Sequence, residues 1–338
     1  MEISLMQTPA ELQQYDDWVR SHPKGTLWQS LAWKQYQEAL NKEVRIYAEK
    51  EGKRFISSAL VVIDRTSFGL STWEIPRGPL YEELVVRGQR SEELLEIIKD
   101  DAKADKCYAL YLSPSQKLTT DHYALAPSNR HQHPEATRII DLTLSEEEIL
   151  AQMKPKGRYN IRVAEKNGVQ ISESNDLDSF FALIEETAKR DRFRHPSKAH
   201  YHAFLEHLPG AFLLIATSPQ SSALSTAKGP IPISGLLGVI WGSQAIYYYG
   251  ASSYAHRAKM APYLLQWEAM RLCKTKGCST YDLLGVAPPN APRTHPWYGI
   301  TEFKEKFGGS VVTYPPEQQS ILRPGMWRLL QWKRAMWR

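Results

Sequence analysis

The chain has 338 residues, more than one ordinary core requires and enough for two domains. Its 42% hydrophobic and 23% charged content are normal for a soluble globular protein, and a net charge of +5 permits a polyanionic partner without demanding one. The N-terminus lacks a basic region followed by an apolar stretch, and no window approaches 18 apolar residues, so neither a signal peptide nor a transmembrane helix is expected. Three cysteines, Cys107, Cys273 and Cys278, form no CxxC pair and make a poor disulfide framework, which favours a reducing, cytoplasmic setting.

In chain order, the pattern predicts helices over residues 10–19 and 29–40. A hairpin follows, 43–49 against 55–63, around Lys50-Glu51-Gly52-Lys53. Ser91 opens a further helix, and 107–112 and 137–142 read as buried strands. Ser145 with Glu148 is a capping box, and Gly168 stops a helix over 158–166. Residues 178–190 and 198–208 are helical, and 212–217 is a strand. A Ser-, Pro- and Gly-rich loop spans 218–230. A hairpin (233–241, 245–250), a helix over 262–277, a strand at 280–284, a short helix over 299–307 and a strand at 311–314 complete the series. The order is mixed and is not regular strand–helix alternation, which points to an α/β (mixed α+β) protein. A boundary is expected near 140–145.

Common catalytic signatures are missing: there is no GxSxG, HExxH or GxxxxGK[ST]. The histidines at 131, 133, 200, 202 and 207 lack a metal-ligand frame. Four segments stand out. Trp28 and Trp33 either line a pocket or fill a core. Lys154, Lys156, Arg158, Arg162 and Lys166 lie in one block. Arg158, Arg162 and Lys166 recur every four residues, so they share a helix face suited to phosphate or simply to solvent. Arg190, Arg192, Arg194 and His195 cluster at a helix end, as phosphate ligands or as surface ion pairs. The fourth is the run from Tyr263 to Gly309, in which a buried strand ends in Tyr281-Asp282-Leu283-Leu284-Gly285 ahead of Phe303-Lys304; such a strand end opens onto a cleft.

The last run, with Trp267, Gly277, Gly299-Ile300 and Phe307-Gly308-Gly309, resembles the C-terminal signature of the FemABX aminoacyl transferases. Trp28-Gln29-Ser30 with Trp33 resembles their N-terminal signature. Lys154, Lys156, Arg158, Ile161-Arg162, Ala164, Lys166 and Gly168-Val169 resemble their central basic block. The three occur in family order and span most of the chain, which resembles the compact, FemX-type members without a coiled-coil arm.

The resemblance implies two tandem acetyltransferase-like (GNAT) domains, residues 1–142 with 310–338 on the precursor side and 143–309 on the aminoacyl-tRNA side. It implies that an amino group on the stem peptide of UDP-MurNAc-pentapeptide or lipid II attacks the ester of an aminoacyl-tRNA, with no cofactor and no metal. Lys304 falls where the family places a catalytic lysine, and Tyr249 resembles a pocket tyrosine. Trp33, Lys34, Arg190, Arg194, His195 and Asp282 are candidate substrate contacts. Lys154, Lys156, Arg158, Arg162 and Lys166 would face tRNA or substrate phosphate. Two departures stand out. Lys34 follows Trp33 directly, and Ser113-Pro114 stands where an acid is expected at the end of the first domain's central strand.

The tail over 323–338 carries Arg323, Arg328, Lys333, Arg334 and Arg338 with no acid, and Trp327, Trp332 and Trp337. It suits either an anionic membrane surface or a terminal helix packed on the first domain. Two other readings stay open. One is an acyl-CoA-dependent N-acyltransferase with Tyr254–Pro262 at a helix start, although that stretch lacks glycines. The other is a noncatalytic RNA- or membrane-binding protein.

Overall fold

The computed structural model describes residues 2–66, 69–82, 91–118, 125–130, 132–219 and 229–336. They divide into two units, Met1–Glu135 with Tyr314–Arg338, and Ala136–Thr313. In the first, β1 (Glu2–Leu5) precedes α1 (Pro9–Ser21). Thr8 starts α1 through a reciprocal capping box with Glu11, and Pro9 sits where its missing N–H costs nothing. A 3-10 turn at Leu27–Gln29 leads to α2 (Leu31–Ala39), capped by the Ser30 hydroxyl. Then follow β2 (Glu43–Glu51), β3 (Arg54–Arg65), β4 (Ser71–Pro76), β5 (Leu80–Tyr81), α3 (Ser91–Ala104), β6 (Cys107–Ser113) and β7 (Ala126–Pro127).

The second unit holds β8 (Ala136–Asp141), α4 (Glu146–Gln152), α5 (Pro155–Lys166), β9 (Gln170–Glu173), α6 (Leu177–Asp191), α7 (Lys198–His207), β10 (Ala211–Ser218), β11 (Ile231–Trp241), β12 (Gln244–Ser252), α8 (Ala261–Thr275), β13 (Thr280–Gly285), α9 (Tyr298–Lys304) and β14 (Ser310–Thr313). The chain then returns to the first unit as β15 (Gln318–Ile321) and α10 (Pro324–Met336). Most of the loop expected at 218–230 lies outside the described residues.

The first sheet runs β1-β2-β3-β4-β6-β15-β7, with β5 against β3; the second runs β14-β8-β13-β12-β11-β10-β9. Each contains a parallel pair joined by a helical crossover: β4 and β6 through α3, and β12 and β13 through α8. Trp73, Ile75, Leu94, Ile98, Leu110 and Leu112 anchor the core between α3 and the first sheet. Seven buried residues of α8, among them Leu264, Leu265 and Trp267, anchor the second core. Each such large side chain contributes roughly 1.5–3 kcal/mol by leaving water.

The sequence placed residues 136–142 and 310–313 with the first domain. The structure assigns both strands to the second sheet, because β8 pairs with β13 on one side and β14 on the other. A strand followed by a polar turn reads locally as the end of a domain, and its pairing partners lie far away in sequence. β4 escaped the sequence reading, yet it is the central parallel partner of β6.

Candidate active site

The geometry begins where two parallel strands part. β12 and β13 pair only through Gln244–Ile246 against Thr280–Asp282; beyond that, β13 continues against β8. Leu284 adopts a left-handed φ of 57°, and Leu284 N donates to Asp282 Oδ1 at 2.7 Å. Thr137 Oγ1 donates to the same carboxylate oxygen. This turn aims the Gly285 carbonyl at Lys304, whose Nζ donates to it at 2.7 Å.

Lys304 is 6% exposed at the end of α9. Burial pushes its ammonium down to about 8, against the opposing pull of Asp282. The Gly285 carbonyl is its one hydrogen-bond partner among the described residues, so two of its three N–H donors are uncommitted. The ammonium stands 5.7 Å from the centre of the Tyr247 ring.

The tyrosine run of β12 is divided by a β-bulge. Leu237 opposes Tyr249 while Gly238 opposes Tyr247, so Tyr248 is the extra residue and Tyr247 and Tyr249 point to opposite faces. Tyr247 faces α8, where Gln266 hydrogen-bonds its phenol and also accepts from Tyr281 OH at 2.8 Å. Burial raises the Tyr247 phenol to about 12. Gly250 lies beneath that hydroxyl, and a Cβ there would overlap it. Tyr249, the expected pocket tyrosine, instead packs on Tyr201 and Phe204 of α7, with its hydroxyl 2.8 Å from His200 Nε2. The tyrosine beside Lys304 is therefore Tyr247. An alternation count along Tyr247-Tyr248-Tyr249 cannot see the bulge.

Tyr247 also walls a cavity of about 300 Å³ bounded by Gly235, Gly250, the N-terminal turn of α8, Ile300, Phe303 and Arg190. Lys304 neighbours Tyr247 and is not itself a lining residue. Arg190 lines the cavity, but it is held by Asp191 at 2.7 and 2.8 Å and by the Ser252 carbonyl at 3.1 Å. Arg194 is exposed and His195 packs on Phe181, both away from the cavity.

The basic block divides in two. Arg158 donates to the carbonyls of Leu150, Ala151 and Met153, closing the C-terminal end of α4. Lys154 pairs with Glu305 at 2.7 Å, and its backbone N–H donates to the Lys306 carbonyl at 3.1 Å. A Cβ at Gly157 would overlap that carbonyl, so only glycine lets α5 press against the turn after Lys304. Lys154 and Arg158 thus position the site's scaffold, while Lys156, Arg162 and Lys166 are exposed along α5.

In the first unit, Trp33 is a core aromatic packed between Trp28 and Tyr36, and Lys34 pairs with Glu38. Trp28 reaches a polar cluster that sequence reasoning missed: it lies 5.7 Å from the Arg77 guanidinium and 6.3 Å from His133. His133 pairs with Glu74 at 2.9 Å. Burial works to raise the Glu74 carboxyl, but the hydrogen bond and charge of His133, with help from Arg130, hold it down to about 2. Glu317 accepts from Ser113 at 3.0 Å, Ser128 at 2.6 Å and Arg130 at 3.1 and 3.2 Å. Glu317, from the stretch before β15 and 204 positions along the chain, thus sits against Ser113 at the end of β6. His131 lies outside the described residues. Among the described ones, no group of three or more His, Cys, Asp or Glu is placed to share a metal ion.

Two mixed sheets with helical crossovers, and a site where β12 and β13 part, define a tandem acetyltransferase-like protein. Solved structures share the fold. FemX matches with a TM-score of 0.78 at 20% identity, over 97% of this chain and 99% of that one. A tandem GNAT protein from the clavulanic acid biosynthesis pathway matches with a TM-score of 0.57 at 9% identity, over 95% and 99%. The FemAB family model matches residues 10–141, 116–222 and 220–331, and the chain belongs to that family. Among curated relatives, the lipid II:glycine glycyltransferases of Staphylococcus haemolyticus (strain JCSC1435) and Staphylococcus aureus are each 22% identical over 94% of this chain and 93% of their own.

Proposed function

We propose that this protein is an aminoacyltransferase that moves an amino acid from aminoacyl-tRNA to the stem peptide of lipid II, building the interpeptide bridge of peptidoglycan at the inner face of the membrane. The acceptor is suggested by the curated relatives, which are named for lipid II. An aminoacyl ester is already activated, so the enzyme's work is to align two large anions and stabilise the charge that develops between them. The acceptor amine attacks the ester carbonyl carbon, the carbonyl π electrons move to oxygen, and the C–O bond to the ribose then breaks. The proton lost by the amine leaves with the ribose oxygen.

The observation that carries this reading is Lys304: a buried ammonium, fixed by Gly285, with two N–H donors uncommitted. It would hold the oxyanion as it forms. Asp282 favours its charged form, and the ammonium adjoins Tyr247, which lines the cavity that we assign to the amino-acid side chain carried by the charged tRNA. Arg190 borders that cavity, and the exposed Lys156, Arg162 and Lys166 would meet the tRNA backbone. The first unit, with Trp28, Arg77 and His133, would take the precursor. Arg194, His195, Trp33 and Lys34 have no contact role in this scheme.

The test is a transfer assay with purified protein, tRNA charged with a panel of labelled amino acids, and either lipid II or UDP-MurNAc-pentapeptide. A branched lipid-linked product that needs charged tRNA is expected. Product with the UDP-linked precursor alone changes the acceptor. No product with any pair, together with consumption of an acyl-CoA, overturns the reading.

A further inference from the structure

The C-terminal helix α10 has two apolar faces. Met326, Trp327 and Leu330 pack on Tyr108, Ala109 and Tyr111 of the first unit. On the other side, Leu329, Trp332 and Met336 are 55%, 63% and 65% exposed. Spacings of three and four place these three on one stripe. Scattered exposed apolar residues need no explanation, but a helical stripe of three large ones marks a contact surface.

Charge indicates what the surface contacts. From Gln318 to Arg338 the sequence holds five basic residues and no acid. Arg323 and Arg328 are exposed, and Arg328 is the immediate neighbour of Leu329. A second copy of the helix would bring like charges together, whereas an anionic bilayer surface satisfies both the stripe and the charge. The 13-residue helix is about 20 Å long, too short for a hydrocarbon core of about 30 Å. Among the described residues, no helix is long and apolar enough to cross a membrane. Trp337 and Arg338 lie outside the described residues.

We propose that α10 lies in the plane of an anionic phospholipid surface, inserting Leu329, Trp332 and Met336 between headgroups while Arg323 and Arg328 meet lipid phosphate. Trp327 is excluded from this role by its packing on the sheet. The docking rests on the helix alone and does not depend on the transfer reaction.

The experiment is co-sedimentation of the full chain with vesicles of phosphatidylcholine, with and without about one-third phosphatidylglycerol, containing no cell-wall precursor. Wild type is expected to bind the anionic vesicles and to be released as salt rises. The double variant Leu329→Glu/Trp332→Glu should lose at least about tenfold in partitioning, and Arg328→Glu about fivefold, with thermal unfolding unchanged because all three side chains are exposed. The double variant should keep the wild-type far-UV circular dichroism spectrum and melting temperature, which separates loss of docking from loss of folding. Undiminished vesicle binding by the double variant overturns the proposal. So does equal binding to neutral vesicles. A wild-type dimer that the double variant dissolves, without vesicle binding by either, would assign the stripe to self-association and also overturn it.

Discussion

The two units bury charge in opposite ways. In the first, Glu317 is met by two hydroxyls and a guanidinium, and Glu74 by His133 and Arg130, so the carboxylates are matched and Glu74 is held down to about 2. In the second, the Lys304 ammonium has one carbonyl and the nearby Asp282, too little to offset its burial, and it is pushed down to about 8. A matched cluster binds a sheet's end to the loops around it. An under-matched cation keeps its remaining hydrogen-bonding capacity for something that is not part of the protein.

The largest expected effect would break the matched side. Glu317→Ala removes the acceptor shared by the Ser113 and Ser128 hydroxyls and the Arg130 guanidinium, which keeps only its 3.5 Å contact with Glu74, and should cost about 3–5 kcal/mol in urea unfolding of the first unit. Next is the under-matched side. Lys304→Met removes a buried charge but keeps the volume. We expect transfer to fall by about 10²–10³, or about 2.7–4 kcal/mol, without loss of stability. Equal activity with Met at 304 would remove the cation from the mechanism while leaving the family assignment in place.

The pH dependence sharpens the contrast. If Lys304 acts as a cation, transfer should fall about tenfold per unit as pH rises well above about 8. Stability should move the other way. The unfolded chain holds the lysine proton up to its ordinary 10.5 while the folded chain gives it up near 8, so stability rises between those values. In Lys304→Met this rise should vanish. Glu74 gives the same sign at the other end of the scale, because its pKa is also lowered on folding: its contribution is present above its ordinary 4.5 and is lost as pH falls toward about 2, and the difference is that the fold favours the charged form of Glu74 but the neutral form of Lys304. Chemical denaturation across pH, wild type against Lys304→Met and Glu74→Gln, separates the two.

The smallest effects concern the bulged tyrosines. Tyr247→Phe and Tyr249→Phe each delete one hydrogen bond, from Gln266 and His200 respectively, and each should cost about 1 kcal/mol of stability. Only Tyr247→Phe should lower transfer, by about tenfold, because only that hydroxyl faces the cavity wall. Comparable rates for the two variants would undo the assignment of faces.

Sequence reading reached much of this. The Ser145 capping box and the two hairpins are local features that a pattern exposes, whereas the Thr8 capping box was not read from the sequence. Lys304 and Asp282 were legible through the family's C-terminal run. The polar cluster of Glu74, Arg130, His133 and Glu317 was not legible, because its members come from three separate stretches of chain with no common spacing.

By itself, the sequence determined the two-domain scale, most elements and the family. Each of these is written in composition, in short periods or in motifs of neighbouring residues. Only the tertiary structure decided which sheet owns β8 and β14, which tyrosine meets Lys304, and that Lys154 and Arg158 support the fold. It also decided which face of α10 is left to solvent. Those outcomes depend on strand partners, a one-residue bulge and packing across long loops. A bulge of one residue reverses every side chain beyond it, and no local period records where it falls.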